Sequence, residues 1–457
     1  MLKKQGKDAE FQGLAMVDAI QRLGVEHLFQ AEIDAILQRQ YMMVPKTHND
    51  TDLHEAALRF RLLRQEGYYV PAERTNRFKA EDGKFKKELT HEIKGLMGLY
   101  EASQLSIEGE VILDEAGDYS YQLLHSYMTS LDYPEARAVE HTLKHPHHKS
   151  HPKFLAKDFV TNLQGANGWM NELQELAKFD FTMVQSQHQQ EILRISEWWK
   201  ELGLNKELEF ARDQPLKWWI WSMTVLTDPS LPEQRIDLVT ISFVYMIDDI
   251  FDAYGTLDDL TLFTQVVDRW DIAATEQLPD YMGICFNALN NVTNEISFKW
   301  ASLGNAFLIE AKWFASGDLP NSEEYLKNGN LSLGVNAVLV HLFFLLGQGI
   351  TKENVELIDA NPGIINSTAR ILRLWDDLGI AKVQRQGCSV ESVRKHVHQM
   401  ISETWKQLNK ECLFQNPFSL TFTKACLNVA RMVPLMHRYD ENYRLPILEE
   451  HISSLLH

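Results

Sequence analysis

The chain has 457 residues, 45% hydrophobic and 24% charged, the balance of an ordinary soluble globular protein long enough for two or three domains. Its net charge of -18 argues against nucleic acid or an anionic membrane as partner. Four cysteines without close spacing, Cys285, Cys388, Cys412 and Cys426, fit a reducing compartment and offer neither a disulfide framework nor a zinc site.

Residues 1–11 carry Lys3, Lys4 and Lys7 but no apolar core, so they are no secretory signal. No long Ser/Arg-rich leader precedes them, and the expected location is the cytoplasm, for a chain whose own N-terminus need not be complete. Residues 18–24 close a helix with Gly24 as its stop. A second helix is expected over 53–66, with Leu58, Leu62 and Leu63 on one stripe and Gly67 after it. A third covers 94–105. No period-2 pattern persists and no segment repeats, so the expected fold is all-α. His141, His145, His147, His148 and His151 suggest a metal site at first sight. Pro146 and Pro152 break regular structure there, so the five rings are expected on a surface loop without a common face.

A second domain is expected to begin at about residue 176, giving domains 1–175 and 176–457. It opens with a helix over 179–199 and another over 207–212, interrupted at Pro215. Trp218, Trp219 and Trp221 follow within four positions. Core packing accounts for one or two of them, and an aromatic wall can also stabilise a cation through the ring quadrupole.

Apolar residues then lead from Ile241 into Ile247-Asp248-Asp249-Ile250-Phe251-Asp252, and Gly255 ends the stretch. Asp248 and Asp252 stand at i and i+4 on one helix face. Like charges there destabilise a helix, and burying them unpaired costs more. A cation is the compensation, and an all-oxygen donor set suits Mg²⁺, with Mn²⁺ as the alternative. Because Mg²⁺ completes its octahedron with water and phosphate oxygens, the expected ligand is phosphorylated. Further on, no Pro interrupts 280–317, which as one helix would be roughly 55 Å long, too long for a compact domain. The longest apolar run, Val335–Leu346, contains His341 and is too short to span a bilayer. Its Phe343 and Phe344 belong either to the core or to a hydrocarbon pocket. Residues 371–378 then present Arg373, Asp376 and Asp377.

Asp248-Asp249-Ile250-Phe251-Asp252 resembles the aspartate-rich metal motif of class I terpene synthases. Arg212-Asp213-Gln214 and Arg373-Leu374-Trp375-Asp376-Asp377 stand where plant members carry diphosphate-binding and second metal-binding residues. The likeness covers nearly the whole chain and is closest to the plant clade making acyclic alcohols, the linalool and nerolidol synthases. That clade shares the Arg-Asp-Gln form and generally lacks an N-terminal Arg-Arg pair followed by Trp, as this chain does. Residues 52–64 resemble the N-terminal α-barrel domain, a relic that acts as scaffold.

The resemblance implies two helical domains, the α-barrel relic and a C-terminal class I helical bundle. It implies Mg²⁺ on Asp248, Asp252 and Asp376, with Asp249 in the same catalytic motif. Arg212 and Arg373 would hold the diphosphate and Trp221 would face the carbocation. Asp377, Gln384, Asp440 and Tyr443 are weaker candidates. The expected partner is a prenyl diphosphate bound to a monomer without a membrane span. The family's second motif has a hydroxyl four residues after its first ligand and a Glu four residues later; here those positions hold Ile380 and Gln384. The loop after Gln384 is short for the family, and a loop is missing near 295–300. The leading expectation is therefore a Mg²⁺-dependent terpene synthase converting farnesyl or geranyl diphosphate to an acyclic alcohol. Its rivals are a catalytically impaired relative with a degenerate second metal site and a chain-elongating prenyltransferase. Proton-initiated cyclisation is disfavoured, since no Asp-x-Asp-Asp occurs.

Overall fold

The computed structural model describes residues 7–43, 52–162, 168–202, 214–293, 297–383, 390–414 and 416–436. Among these the regular elements are helices, and the one extended pairing is an isolated bridge between Lys79 and Phe85. The fold is all-α, as expected. It divides into two compact units, Met1–Met183 with Trp405–Asn416, and Val184–Thr404 with Pro417–His457.

The first unit contains helices α1 (Lys7–Arg22), α2 (Gln30–Met43), α3 (Leu53–Gln65), α4 (Ile93–Ser103), α5 (Val111–Tyr127), α6 (Tyr133–Lys144) and α7 (Pro152–Asn162), and the start of α8 (Trp169–Leu202). The expected boundary at residue 176 falls inside α8. α1 and α3 end where Gly24 and Gly67 take the left-handed conformation, with φ of 71° and 80°. Asp52 caps α3, its side chain accepting from the backbone N–H of His54 and Glu55 at 2.8 and 3.2 Å. The expected stripe of Leu58, Leu62 and Leu63 is buried against Leu14, Val17 and Leu37. α3 also buries Arg64, which donates to the Val70 carbonyl and to Glu110 at 2.7 Å each, so its charge and donors are satisfied.

The histidine expectation is corrected here. His147, His148 and His151 are buried, not on a surface loop. The His147 N–H donates to Glu101 at 2.8 Å, and His148 Nε2 lies 2.8 Å from Asn409 Oδ1. Pro146 follows the end of α6 as expected, whereas Pro152 is the first residue of α7 and so begins a helix. Buried polar partners thus satisfy part of the hydrogen-bonding capacity of this segment. No group of three metal-ligating side chains forms among the described residues.

The second unit contains α9 (Pro215–Val225), α10 (Pro232–Asp237), α11 (Ser242–Asp249), α12 (Leu257–Arg269), α13 (Asp280–Thr293), α14 (Ser297–Ser316), α15 (Ser322–Ser332), α16 (Val335–Leu346), α17 (Lys352–Asp359), α18 (Gly363–Val383), much of α19 (Val390–Leu413), and α20 (Leu420–Met436). Pro215 is the first residue of α9, where its missing N–H costs nothing. The 280–317 stretch is two helices, not one. α15 and α16 together have the length and apolar character of a membrane span. They break at Gly334, however, and 67% of the apolar window is buried in the protein. Gly334 has φ of 73°, and a Cβ there would meet Val244 Cγ1 at 2.5 Å, so it also sets the close approach of α16 to α11. Phe343 packs edge-on against Phe344, Phe418 and Phe422 and is core, while Phe344 is half-buried.

His341, on α16, is buried, and burial pushes its pKa down to about 4, with a backbone hydrogen bond to Asp237 opposing. The folded protein therefore holds this ring neutral while the unfolded chain protonates it near pH 6.5. Between those values the unfolded state binds the extra proton, so stability falls as pH drops from about 6.5 toward 4, by about 3 kcal/mol from this group. The expected result is a smaller loss of urea midpoint between pH 7 and pH 4.5 for His341→Leu than for the parent protein. Equal losses would remove His341 as the cause.

Candidate active site

The second unit contains a cavity of about 350 Å³ walled by α9, α11, α14, α15, α16, α18 and α20. Trp221, Val244, Phe307, Leu339, Leu372 and Val429 supply its apolar lining. Asp248, Asp252, Asp376, Arg373, Glu310 and Lys217 supply the charge.

α11 does not end at Asp249 as a plain α-helix. Residues Ile250–Tyr254 form a π-turn, closed by the Gly255 N–H donating to the Ile250 carbonyl at 2.9 Å. Such turns often mark functional segments. The apolar side chains Phe243, Met246, Ile247 and Ile250 are buried and anchor this helix. Asp248 and Asp252 both line the cavity. Asp252 is exposed and Asp248 and Asp249 are half-buried, so the expectation of a buried carboxylate pair is corrected. The acids of the motif thus keep access to water, while the apolar residues of the same helix are buried.

The carboxylate with a displaced pKa is on the opposite motif and is half-buried. On α18, Asp376 has its pKa pushed up to about 6 by burial, which Arg373 opposes and Asp377 and Glu310 reinforce. A cation there would relieve that cost. The three aspartates thus fit a divalent metal, but in a particular way. No three metal-ligating side chains converge among the described residues. One or two carboxylates per ion, with water and ligand phosphates completing the shell, is how Mg²⁺ is ordinarily held.

Arg373 lies next to these acids. Its Nε is 3.2 Å from Asp377 Oδ1, its Nη1 is 3.9 Å from Glu310 Oε1, and its Nη2 donates to the Tyr325 hydroxyl. Burial works against the cation, but Asp377, Tyr325 and Glu310 outweigh it and raise its pKa. Tyr325, Glu310 and Lys217 escaped the sequence reading. Only Lys217 had a local signal, its place one helical turn before Trp221.

Of the three tryptophans, Trp218 and Trp219 are fully buried. Trp218 packs edge-on against Trp199, and the Trp219 indole donates to Glu191 at 3.1 Å. Glu191 in turn pairs with the buried Arg235 at 2.5 Å. Trp221 alone of the three lines the cavity, and its indole N–H has no hydrogen-bond partner among the described residues. The structure therefore brings Asp248, Asp252, Asp376, Arg373 and Trp221 to one cavity, with Asp377 behind Arg373. Asp249 is not among the lining residues. Arg212, Gln384, Asp440 and Tyr443 lie outside the described residues, as does the side chain of Ile380.

Residues 200–407 match the profile of the terpene synthase family metal binding domain, and residues 1–143 that of the terpene synthase N-terminal domain. A probable terpene synthase 13 of Ricinus communis is 58% identical over 100% of this chain and 86% of its own length. An (E)-nerolidol synthase of Cannabis sativa is 50% identical over 97% of this chain and 88% of its own. An S-(+)-linalool synthase of Arabidopsis thaliana, described as chloroplastic, is 45% identical over 98% and 85%. Among solved structures, isoprene synthase from grey poplar, in complex with three Mg²⁺ ions and dimethylallyl-S-thiolodiphosphate, superposes with a TM-score of 0.89. It is 33% identical, over 97% of this chain and 91% of that one. The match to the Ricinus protein extends over 492 positions against 457 residues here, so about 35 positions of that relative have no counterpart inside the matched span.

Proposed function

The chain belongs to the terpene synthase family, lyases acting on prenyl diphosphates, and from that premise we propose that it converts farnesyl diphosphate, with geranyl diphosphate as the alternative substrate, to an acyclic tertiary alcohol, nerolidol or linalool. The observation that supports this reading is the shared cavity, in which an apolar wall including Trp221 faces carboxylates from two helices and the Arg373 guanidinium. Identity to a nerolidol synthase and a linalool synthase favours the acyclic products.

Asp248 and Asp252 on one side and Asp376 on the other would hold Mg²⁺, which when bound neutralises the diphosphate and favours its departure. Arg373, with Arg212 proposed beside it, adds positive charge where the leaving group develops negative charge. The allylic C–O bond breaks and its electron pair leaves with the diphosphate. Trp221 presents its ring to the resulting cation. Water then adds at the tertiary carbon and loses a proton. Asp249, Asp440 and Tyr443 are proposed only as supporting groups of the same site.

A second reading has one specific observation in its favour. Ile380 and Gln384 stand at two of the three positions of the second metal motif. The same cavity would then belong to a catalytically impaired terpene synthase. One experiment separates the readings: purified protein with farnesyl or geranyl diphosphate, with and without Mg²⁺, analysed by gas chromatography. Mg²⁺-dependent nerolidol or linalool is the expected result. A mainly cyclic profile refutes the product assignment, a longer prenyl diphosphate indicates chain elongation, and no product from either substrate supports the impaired reading.

A further inference from the structure

Arg373 cannot be held by its own helix alone. Its side chain is nine-tenths buried, and a flexible stem of that length has many rotamers to lose on being fixed. The neighbouring helix α15 supplies what fixes it. Arg373 Cζ lies over the Tyr325 ring, 4.6 Å from its centroid, a distance at which the ring quadrupole attracts the cation. The Tyr325 hydroxyl accepts from Arg373 Nη2 and donates to Asp377 Oδ1 at 2.8 Å. One turn further along the same face is Gly329. A Cβ there would meet Arg373 Cδ at 2.8 Å and Nε at 2.9 Å, closer than real side chains pack. Tyr325 and Gly329 stand at i and i+4, so one face of α15 offers the guanidinium a ring, a hydroxyl and a gap.

We propose that Tyr325 and Gly329 are positioning residues for Arg373: together they form a cradle that points its guanidinium at the diphosphate of the substrate. The inference rests on the functional reading above and deepens it. Tyr325 does not touch substrate. Its hydroxyl occupies one side of Nη2 and ties Asp377 to the same arrangement, so the remaining Nη protons are left for an incoming anion. Glu310, 3.9 Å from Nη1, is close enough to attract the cation but beyond hydrogen-bond distance, so it does not compete for those protons. Gly329 is required because any larger residue would occupy the volume that Arg373 Cδ and Nε now fill.

The test uses inorganic pyrophosphate with Mg²⁺ as the probe, measured calorimetrically on the full chain, so that it does not depend on turnover. Losing a supporting contact of this kind typically weakens binding by about 10–100-fold. Tyr325→Phe, which keeps the ring and removes the hydroxyl, is expected near the lower end of that range. Gly329→Ala, which displaces the side chain, is expected nearer the upper end. The decisive measurement is the double variant: in an Arg373→Leu background, Tyr325→Phe should have no further effect, because its role passes through Arg373. Parent-like binding by both Tyr325→Phe and Gly329→Ala overturns the proposal. So does an undiminished loss from Tyr325→Phe in the Arg373→Leu background, since that would mean a general structural role. If the parent protein itself fails to bind pyrophosphate at millimolar Mg²⁺, the reading of the cavity as a diphosphate site falls, and the cradle falls with it. Should Gly329→Ala not fold, the Tyr325 pair of measurements decides alone.

Discussion

Asp248→Ala abolishes turnover of prenyl diphosphate while leaving the helical fold intact. The expected loss exceeds about 100-fold, because removing even an indirect support of a metal typically costs 10–100-fold and Asp248 is proposed as a direct ligand. Folding should survive because Asp248 is half-buried and lines the cavity, while Phe243, Met246, Ile247 and Ile250 of the same stretch are buried and anchor it. Removing one of several like charges there is, if anything, favourable to the helix without metal. Steady-state turnover of farnesyl diphosphate across a Mg²⁺ titration, with circular dichroism as the folding control, measures both halves. Full retention of turnover would remove Asp248 from the metal site.

The second large effect runs in the opposite direction. Restoring Ile380→Ser and Gln384→Glu together should raise turnover by roughly 10–100-fold and lower the Mg²⁺ concentration needed for half-maximal rate. Asp376 is the one proposed ligand left in the α18 motif, and its half-buried carboxyl has its pKa pushed up to about 6. With one carboxylate, the ion must take its other oxygens from water or diphosphate and is held weakly. By sequence spacing, a hydroxyl at 380 and a carboxylate at 384 would supply the second and third oxygen ligands that the family motif has after its first. A parent protein that already matches the restored variant in rate and Mg²⁺ optimum would show that α18 needs no further ligands. Partial recovery would point to the shortened stretches, consistent with the roughly 35 positions absent relative to the Ricinus protein.

Restoration also bears on pH. Asp376 is protonated in the folded protein below about pH 6, where the unfolded chain would ionise it down to about 4. Its contribution to stability therefore weakens as pH rises through that window, opposite in sign to His341. Comparing His341→Leu with its parent cancels the Asp376 contribution, which is the reason for measuring a difference.

Much of this molecule was legible from its residues in a line. Helix ends at Gly24 and Gly67, the stripe Leu58, Leu62 and Leu63, and the start of α9 at Pro215 all follow from backbone sterics and periodicity, which act over a turn or two. The acidic motif was legible for the same reason, since its spacing is local. Burial was not. The sequence placed five histidines on a surface loop, yet His148 is buried on Asn409, 261 positions away. The tertiary structure alone also decided that Asp252 is exposed while Asp376 is half-buried with its pKa raised. Neighbouring helices, rather than flanking hydropathy, set how much water each carboxylate keeps. The cradle around Arg373 was beyond reach for the same cause. Tyr325 and Gly329 look like ordinary residues of an amphipathic helix, and only the packing of α15 against α18 brings them to a guanidinium 48 and 44 positions further along. Local chemistry thus determined the helices and the aspartate motif, while packing decided which charged groups share a cavity and which of them are held in place.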